Sequence, residues 1–564
     1  MSDSIVFGAA GFIGRAVVAR LLKQQRAVTA AVRPGTGKRL TSWLDESAID
    51  RHGLEVVECD ITAKNLGLPE ELDSFGIQDV YNCAARFAFG LDHDSAYAVN
   101  VTGALNVLDW ATACPKLRRV VHITGYRIGV DEQDENYRAN GAYGASKVES
   151  DALLRQHAAG RHIPLTIANP SSVIGPGQYL GLAPTVEDLW NGKLAAIPGG
   201  SKTFVPIVDL DYFAEFLTSL PAQDGTAGQS ITVLDQRTPV LPDLIRLLAT
   251  HMNVRAPKFS IPVGVIEKLP RALTGADRES LRFLAEDRYD TSAANEVARI
   301  ADITMPPTES TLRRWTDHLV SSRFGTVAAD PSAGFVDGMW VSGDRKSPSY
   351  LFLHGLPLNS DSWDEVRGLL GAPSLAVDLP GLGRSAPGEI DALLPQLMSS
   401  VDTRPVLVGN SLGCGPVLRY AAAHLHRISG VVLISPPFLQ QRAGLLKRSP
   451  LATVALHRLS ANALAAQLGV PEGSSISSAA TDLRRGRVAN RTIEALRRAS
   501  SLERRAELRE LLEQTEVPVR IIVGSDDPLT FETFHKQTVI DGAGHFPQLT
   551  HASQVAAELT ASHE

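Results

Sequence analysis

The strongest constraint on this chain is a regular alternation of short β-branched strand patterns with helical patterns, and the alternation occurs twice. In the first half it predicts strands at Ile5–Phe7, Ala27–Val32, Leu54–Glu58, Val80–Tyr81, Val120–Ile123 and Leu165–Ala168. In the second half it predicts strands at Gly338–Ser342, Tyr350–Leu353, Leu375–Val377, Val406–Val408, Val431–Ile434, Val519–Val523 and Thr538–Ile540. Such alternation folds into a parallel sheet with helices on both faces. The sequence therefore predicts two α/β domains.

The two alternations meet near residue 325. A polar helix around Ser310–Ser321 ends the first, and the small, loop-forming residues that follow it indicate a linker. We predict a first domain at residues 1–322, a linker at 323–335 and a second domain at 336–564. Within the second domain, a long helical segment at about 436–514 is predicted to form a lid over an active site. The alternative is a helical insertion that only packs.

Composition limits the classes of function. The chain has 44% hydrophobic and 21% charged residues and a net charge of −7, so it lacks the basic surface that nucleic acid requires. Its four cysteines are scattered and form no zinc-binding cluster, and therefore no metal site is predicted. The N-terminus carries no basic leader, and no apolar run reaches the ~18 residues of a membrane helix. These features predict a soluble, cytoplasmic protein.

A glycine motif follows the first predicted strand. Gly8, Gly11 and Gly14 stand where a missing side chain permits a tight turn, close approach of a pyrophosphate, and helix-to-strand packing. Phosphates would then meet the positive end of the next helix, so Phe12 and Ile13 are also predicted to bind a dinucleotide.

The second predicted strand ends in a cation. About 20 residues after the glycine motif, where an NAD enzyme places an acidic residue on the ribose, this sequence has Arg33, with Lys38 and Arg39 close behind. A cation there can pair with a 2′-phosphate, which favours NADP(H) over NAD(H). The alternative is an exposed arginine in a loop.

Tyr143 and Lys147 are four residues apart in Tyr-Gly-Ala-Ser-Lys, so a helix presents both on one face. The ammonium group would lower the pKa of the phenol, which could then protonate a carbonyl oxygen as hydride arrives. Alone, such a pair usually marks a solvated helix face. Behind a dinucleotide motif, the pair predicts a reductase site.

These motifs together resemble those of the extended short-chain dehydrogenase/reductase family, over roughly residues 3–320. The resemblance implies that Thr124, after the fifth predicted strand, orients the substrate carbonyl, although Gly125 replaces the family's usual second serine. It also implies that Asp60 faces the adenine and that Ala84 and Lys147 contact the cofactor. The segment Thr124-Gly-Tyr126 resembles the acyl-thioester and fatty-acyl reductase branch more than the sugar epimerases.

The second half contains Gly409-Asn-Ser411-Leu-Gly413 between a predicted strand and a predicted helix. A sharp strand-to-helix turn needs flanking glycines to project a strained serine into a cleft, so Ser411 is the predicted nucleophile. Asp527 and His545 follow in the order nucleophile, acid, base. Asp526 is the rival acid.

The oxyanion formed during acyl transfer needs two backbone N–H donors. The predicted donors are Leu412, directly after the nucleophile, and Leu356 in the turn His354-Gly-Leu-Pro357. His354 itself is expected to be structural.

These features resemble the α/β-hydrolase family over about residues 336–562, including the segment Asp378-Leu-Pro-Gly-Leu-Gly-Arg-Ser385. The resemblance implies ester or thioester hydrolysis. One departure from the family is the short stretch between Asp527 and His545, which leaves room for only a short helix.

The combined prediction is a bifunctional enzyme in which NADPH reduces a carbonyl or acyl group and a serine hydrolase cleaves an ester or thioester. The predicted substrate is a small, apolar acyl, ester or ketone compound. One alternative is an NAD(P)-dependent epimerase or dehydratase fused to a hydrolase-like domain that binds without catalysis. Another keeps both halves catalytic, with an epimerase or dehydratase that recycles its nicotinamide.

Overall fold

The structure is a computed structural model that describes residues 2–70, 72, 74–88, 90–125, 127, 141–268, 281–440, 450–529 and 537–561. The chain separates into two compact units. The first unit comprises Met1–Val186, Leu194–Leu248 and Ala256–Leu319, and the second comprises Glu187–Lys193, Ala249–Arg255 and Val320–Glu564.

The first unit is built on a seven-stranded parallel sheet within the described residues. Its strands are β1 (Ser4–Phe7), β2 (Val28–Val32), β3 (Leu54–Glu58), β4 (Asp79–Asn82), β5 (Arg119–Ile123), β6 (Leu165–Pro170) and, after three short strands, β10 (Ser230–Val233). The short strands are β7 (Ser172–Ile174), β8 (Ile197–Pro198) and β9 (Ile207–Asp209), with β11 (Ser260–Ile261) later in the chain. The sheet order β10-β6-β5-β4-β1-β2-β3 confirms the predicted Rossmann-type doubly wound sheet.

Helices cover both faces of this sheet because residues alternate in direction along each strand. The helices in this half of the chain are α1 (Phe12–Lys23), α2 (Gly37–Glu46), α3 (His93–Tyr97), α4 (Ala104–Ala111), α5 (Ala142–Arg161), α6 (Ala183–Trp190), α7 (Leu210–Ser219), α8 (Leu241–His251), α9 (Val263–Ile266), α10 (Ser292–Ile300) and α11 (Thr308–Ser321). The last residues of α6 and α8 belong to the second unit. Val6 of β1 packs in one core with Leu21 of α1 and Phe213 of α7. Phe7 belongs to the opposite core, together with Leu154 of α5. Burying each of these side chains contributes about 1.5–3 kcal/mol.

The second unit contains an eight-stranded mixed sheet in the described part of the chain. Its strands are β12 (Gly334–Val336), β13 (Met339–Gly343), β14 (Tyr350–Leu353), β15 (Ser374–Val377), β16 (Val406–Asn410), β17 (Gly430–Ile434), β18 (Val519–Gly524) and β19 (Thr538–Ile540). The order is β12-β13-β15-β14-β16-β17-β18-β19, parallel from β15 onward. The predicted α/β-hydrolase fold is confirmed.

At one edge of this sheet the strands are not parallel as predicted. There β12 and β13 pair antiparallel, and β13 also pairs antiparallel with β15. Asp337 and Gly338 connect them with positive φ angles of 47° and 81°. An Asp-Gly pair adopts this backbone readily and closes a two-residue hairpin. Gly334 and Phe335, in the segment predicted as a linker, therefore lie in β12.

Helices in the second unit flank the sheet and also fill the interval between β17 and β18. They are α12 (Asp364–Leu370), α13 (Leu393–Met398), α14 (Cys414–Ala423), α15 (Pro450–Arg458), α16 (Ala461–Leu468), α17 (Ser474–Leu483), α18 (Val488–Ala499), α19 (Leu502–Gln514), α20 (Pro547–Thr550) and α21 (Ala552–Thr560). Helices α15 to α19 occupy the segment predicted as a lid, of which residues 441–449 lie outside the described residues. Leu464, Ile476 and Leu483 of these helices form a core with Leu358.

A buried ion cluster fixes the loop after β15. Arg384, which is 4% exposed, donates from Nε to Asp378 Oδ2 at 2.9 Å and also pairs with Asp361. Burial alone would raise the pKa of the Asp378 carboxyl, but the Arg384 guanidinium outweighs burial and holds that pKa well below its ordinary value. The cluster therefore depends on both charges being present.

Across the described residues, no helix combines the length and the apolar character needed to cross a bilayer.

Candidate active sites

The glycine motif of the first unit forms a tight turn between β1 and α1. Gly8 has φ +72°, and a Cβ there would lie 2.7 Å from Cα of Ala84 at the end of β4. A Cβ on Gly14 would lie 2.2 Å from the Gly8 carbonyl oxygen. Both positions exclude any side chain, so the turn stays flat against the edge of the sheet where a dinucleotide would lie.

The start of α1 has the chemistry that a pyrophosphate requires. Gly11 precedes the helix without a side-chain cap, and the first turn contains no acidic residue. The backbone N–H groups of Phe12, Ile13 and Gly14 find no acceptor among the described residues. Free N–H groups and the helix dipole both favour an anion here. The residues present therefore fit a nicotinamide dinucleotide.

The edge at β2 and β3 carries one cation and two carboxylates. Arg33 is exposed directly after β2. Glu58, at the end of β3, accepts from the Gly35 N–H at 2.8 Å, which places a carboxylate on the same turn. Asp60 is exposed and accepts from the N–H and the hydroxyl of Thr62, and these bonds lower its pKa. Sequence reasoning missed Glu58 because its contact joins residues from different strands.

Lys147 lies on α5, and its side chain reaches the end of β5, where Thr124 follows. Its ammonium group donates to the Ile123 carbonyl oxygen at 3.1 Å, and burial lowers its pKa to about 8. Tyr143, one turn earlier on α5, packs edge-on against Phe87 with ring centroids 4.8 Å apart. Helix α5 therefore places Lys147 and Tyr143 at one edge of the sheet.

Two asparagines support this region, and neither was among the predicted site residues. Asn169 of β6 accepts a hydrogen bond from the Thr124 hydroxyl through its side-chain oxygen. Asn100 donates to Ser146 Oγ at 3.0 Å and accepts from the Arg86 N–H at 2.9 Å. Only the fold shows which hydroxyl each asparagine contacts. Tyr126 of the predicted Thr-Gly-Tyr segment lies outside the described residues.

In the second unit, Ser411 occupies the sharp turn between β16 and α14 with φ +50°. A Cβ on Gly409 would lie 2.6 Å from the Gly413 carbonyl oxygen, and one on Gly413 would lie 2.6 Å from the Leu353 carbonyl oxygen. The two flanking glycines thus permit the backbone to fold tightly beneath a strained serine.

Ser411, His545 and Asp527 form a continuous hydrogen-bonded chain. His545 Nε2 lies 3.1 Å from Ser411 Oγ, and His545 Nδ1 lies 2.8 Å from Asp527 Oδ2. A carboxylate can only accept, so Nδ1 carries the proton and Nε2 is free to accept the serine proton. The rival acid, Asp526, is exposed and bonds to Ser525. Of the two acids, the structure places Asp527 against His545.

The predicted oxyanion donors lie in the two turns beside the nucleophile. No acceptor for the N–H of Leu356 or Leu412 is found in the part of the chain that the structure describes. His354 is buried, and its Nε2 accepts from the Leu379 N–H at 2.9 Å. Its Nδ1 therefore holds the proton and donates to the Gly355 carbonyl oxygen at 2.9 Å. His354 positions the turn and is not placed to react.

Two families match these units. Residues 4–192 match the NAD dependent epimerase/dehydratase family, and residues 350–558 match the alpha/beta hydrolase family. The chain therefore carries one domain of each family, and both are families of enzymes.

Curated relatives match one half of the chain or the other. "Esterase Rv0045c" of Mycobacterium tuberculosis is 40% identical over 111 residues, covering 18% of this chain and only 37% of the relative. "Pimeloyl-[acyl-carrier protein] methyl ester esterase" of Neisseria meningitidis is 29% identical over 233 residues, covering 36% of this chain and 89% of the relative. "Putative dihydroflavonol 4-reductase" of Synechocystis is 27% identical over 275 residues, covering 46% of this chain and 75% of the relative.

Proposed function

We propose that this chain is a bifunctional enzyme, with a serine esterase or thioesterase site in the second unit and a nicotinamide-dependent reductase site in the first. The Ser411–His545–Asp527 hydrogen-bonded chain is the observation that carries the proposal. Two similar proteins are named as esterases, which supports an ester substrate.

In the hydrolase reaction, His545 takes the Ser411 proton through Nε2 while Oγ attacks the carbonyl carbon. Asp527 holds the imidazole in the required tautomer and stabilises its cation. The N–H groups of Leu356 and Leu412 donate hydrogen bonds to the developing oxyanion. His545 then protonates the leaving alcohol or thiol, and water attacks the acyl-enzyme by the same route in reverse.

An apolar acyl group is the proposed substrate class for this site. The Leu412 side chain, directly after the nucleophile, is surrounded mainly by apolar side chains, including Ile390, Phe438 and Leu508. Apolar surroundings favour an apolar group over a charged one.

Labelling with a fluorophosphonate probe tests the hydrolase proposal, because the probe modifies only a serine activated by a base and an oxyanion hole. We expect one adduct on Ser411 by peptide mass spectrometry, and none in His545→Ala. A folded wild-type chain that gives neither an adduct nor turnover of p-nitrophenyl butyrate would contradict the proposal and favour a binding role for the second unit.

For the first unit, a bound NADPH would supply the hydride. The turn at Gly8 and the start of α1 would hold its pyrophosphate, Lys147 would hold its ribose, and Tyr143 would donate a proton to the substrate carbonyl oxygen. The Thr124 hydroxyl would orient that carbonyl by turning its proton from Asn169 Oδ1 to the carbonyl oxygen. Loss of NADPH absorbance in proportion to carbonyl substrate supports reduction, whereas product formation without net NADPH loss favours an epimerase or dehydratase, the activity that the matching family's description suggests.

We propose NADP(H) as the cofactor because Arg33 offers a cation to a 2′-phosphate. Glu58 on the same turn is the observation in favour of NAD(H), since a carboxylate can accept from a free ribose hydroxyl. Arg33→Ser should weaken binding of NADPH and leave binding of NADH nearly unchanged, as measured by fluorescence titration. Equal affinity of the wild-type chain for both cofactors would contradict this choice.

We also propose a reducing, cytoplasmic location, because the four cysteines are free thiols.

A further inference from the structure

One residue outside the Ser411–His545–Asp527 hydrogen-bonded chain contacts the acid, Asp527. Gln440 follows β17 and a short turn at Pro437–Leu439, and it is only 3% exposed. Its side-chain Nε2 lies 2.6 Å from Asp527 Oδ2 and 3.4 Å from His545 Nδ1. We propose that Gln440 is a positioning residue for the hydrolase site, which rests on the proposed hydrolase function of the second unit.

The chemistry of the acceptor fixes how the Gln440 amide is oriented. A carboxylate has no proton to donate, so only the NH₂ end of the amide can face Asp527. Oδ2 therefore accepts two hydrogen bonds, one from His545 Nδ1–H and one from Gln440. Oδ1 accepts from the Leu529 N–H at 3.0 Å. Donors on both oxygens hold the plane of the carboxylate.

The bond from Gln440 to Oδ2 also affects His545. Asp527 Oδ2 is the acceptor that orients His545 Nδ1, and the same oxygen is held by Gln440. Without the Gln440 donor, the carboxylate could turn away from Nδ1, and His545 Nε2 would no longer be directed at Ser411 Oγ. Gln440 thus holds the direction of Asp527 and, through it, the orientation of His545.

The backbone of Gln440 is held from α19. Arg505, buried on that helix, donates to the Gln440 carbonyl oxygen. Arg509, one turn later, donates from Nε to the Phe438 carbonyl oxygen at 2.7 Å. The last helix of the lid segment is therefore connected to the catalytic acid through Gln440.

Two substitutions in the full chain test the proposal, with p-nitrophenyl butyrate as substrate. Gln440→Met keeps the length and removes the donor. We expect kcat to fall about tenfold or more while KM stays within about twofold, because the variant loses the orientation of the acid and not the binding of substrate. Gln514→Met, at the exposed end of α19, is the matched control and should keep the wild-type kcat.

Gln440→Glu has nearly the same shape and gives a pH-dependent rescue. The carboxyl group that this substitution introduces donates to Asp527 as the glutamine does when it is protonated, whereas its ionised form repels Asp527. The ratio of kcat for Gln440→Glu to kcat for Gln440→Met should therefore rise as the pH is lowered from about 9 to about 6. Melting temperatures and fluorophosphonate labelling, measured on both variants, show whether either variant is less stable. The pH dependence of the ratio decides the matter even if the methionine variant is less stable, because a loss of stability alone does not produce the rescue at low pH.

Wild-type kcat in Gln440→Met would overturn the proposal. So would equal losses in both variants with no pH dependence of their ratio, because that result indicates a packing role only. If the wild-type chain itself neither turns over ester nor takes up the fluorophosphonate, the hydrolase function fails first and the proposal fails with it.

Discussion

Replacing Asp527 by asparagine tests the geometry of the hydrolase site most directly. Asp527 is 4% exposed, and its Oδ2 lies 2.8 Å from His545 Nδ1. When His545 takes the Ser411 proton, two opposite charges stand about 4 Å apart, and their attraction is about 4 kcal/mol at an effective dielectric constant of about 20. Losing that attraction in the transition state corresponds to a fall in kcat of about a thousandfold. KM should change little, since the charge pair forms only during reaction.

The assay is steady-state hydrolysis of p-nitrophenyl butyrate, together with the rate of fluorophosphonate labelling at Ser411. Asp526→Asn provides a matched control, because the neighbouring carboxylate is exposed and bonds to Ser525. The control should retain wild-type kcat. A large loss in Asp526→Asn with activity retained in Asp527→Asn would refute the assignment of the acid. A loss of less than about tenfold in Asp527→Asn would refute the electrostatic argument.

Three further predictions concern the dinucleotide turn, a buried base and the ion cluster. Gly14→Ala should weaken NADPH binding at least about tenfold in a fluorescence titration, because the new Cβ would lie 2.2 Å from a backbone oxygen, whereas Gly160→Ala has open space and should bind normally. Burial lowers the pKa of Lys147 from 10.5 to about 8, so the unfolded chain binds the Lys147 proton more readily than the folded chain does. Lys147→Met should therefore raise the free energy of unfolding by up to about 3 kcal/mol at pH 7. This gain should disappear as the pH rises from about 8 to about 10.5. A pH-independent difference in urea unfolding would contradict that reasoning. Arg384→Met should lower the free energy of unfolding of the second unit by about 3–5 kcal/mol, since a buried carboxylate loses its cation, and a loss below about 1 kcal/mol would show that the cluster adds little.

The periodic patterns determined the two sheets because a strand or a helix depends on neighbouring residues. Every predicted strand is present to within two residues at either end, from Ser4–Phe7 to Thr538–Ile540. In the two large sheets the missed strands are Ser230–Val233 and Gly334–Val336, which are four and three residues long and lie at sheet edges. The strands of the two small sheets, β7, β8, β9 and β11, were missed as well, and each has only two or three residues. Such short segments become strands because a neighbouring strand offers hydrogen bonds, and that neighbour is distant in sequence.

The short motifs predicted where the two candidate active sites lie, but they did not select every residue of those sites. The glycine turn and Ser411 follow from backbone sterics within a few residues. The sequence favoured Asp527 but left Asp526 as a rival acid, because adjacent side chains differ only in the direction that the fold gives them. It offered Arg33 as a cofactor-selecting residue without revealing that Glu58 shares the turn.

Only the tertiary structure decided the contacts that tune these sites. Gln440 meets Asp527 because the loops after β17 and β18 end at the same edge of the sheet. Lys147 has a lowered pKa because α5 buries its ammonium group against the end of β5. Chain order and local pattern carry the identity of each group. Its hydrogen-bond partners and its exclusion from water come from segments far away in sequence, and no local pattern encodes them.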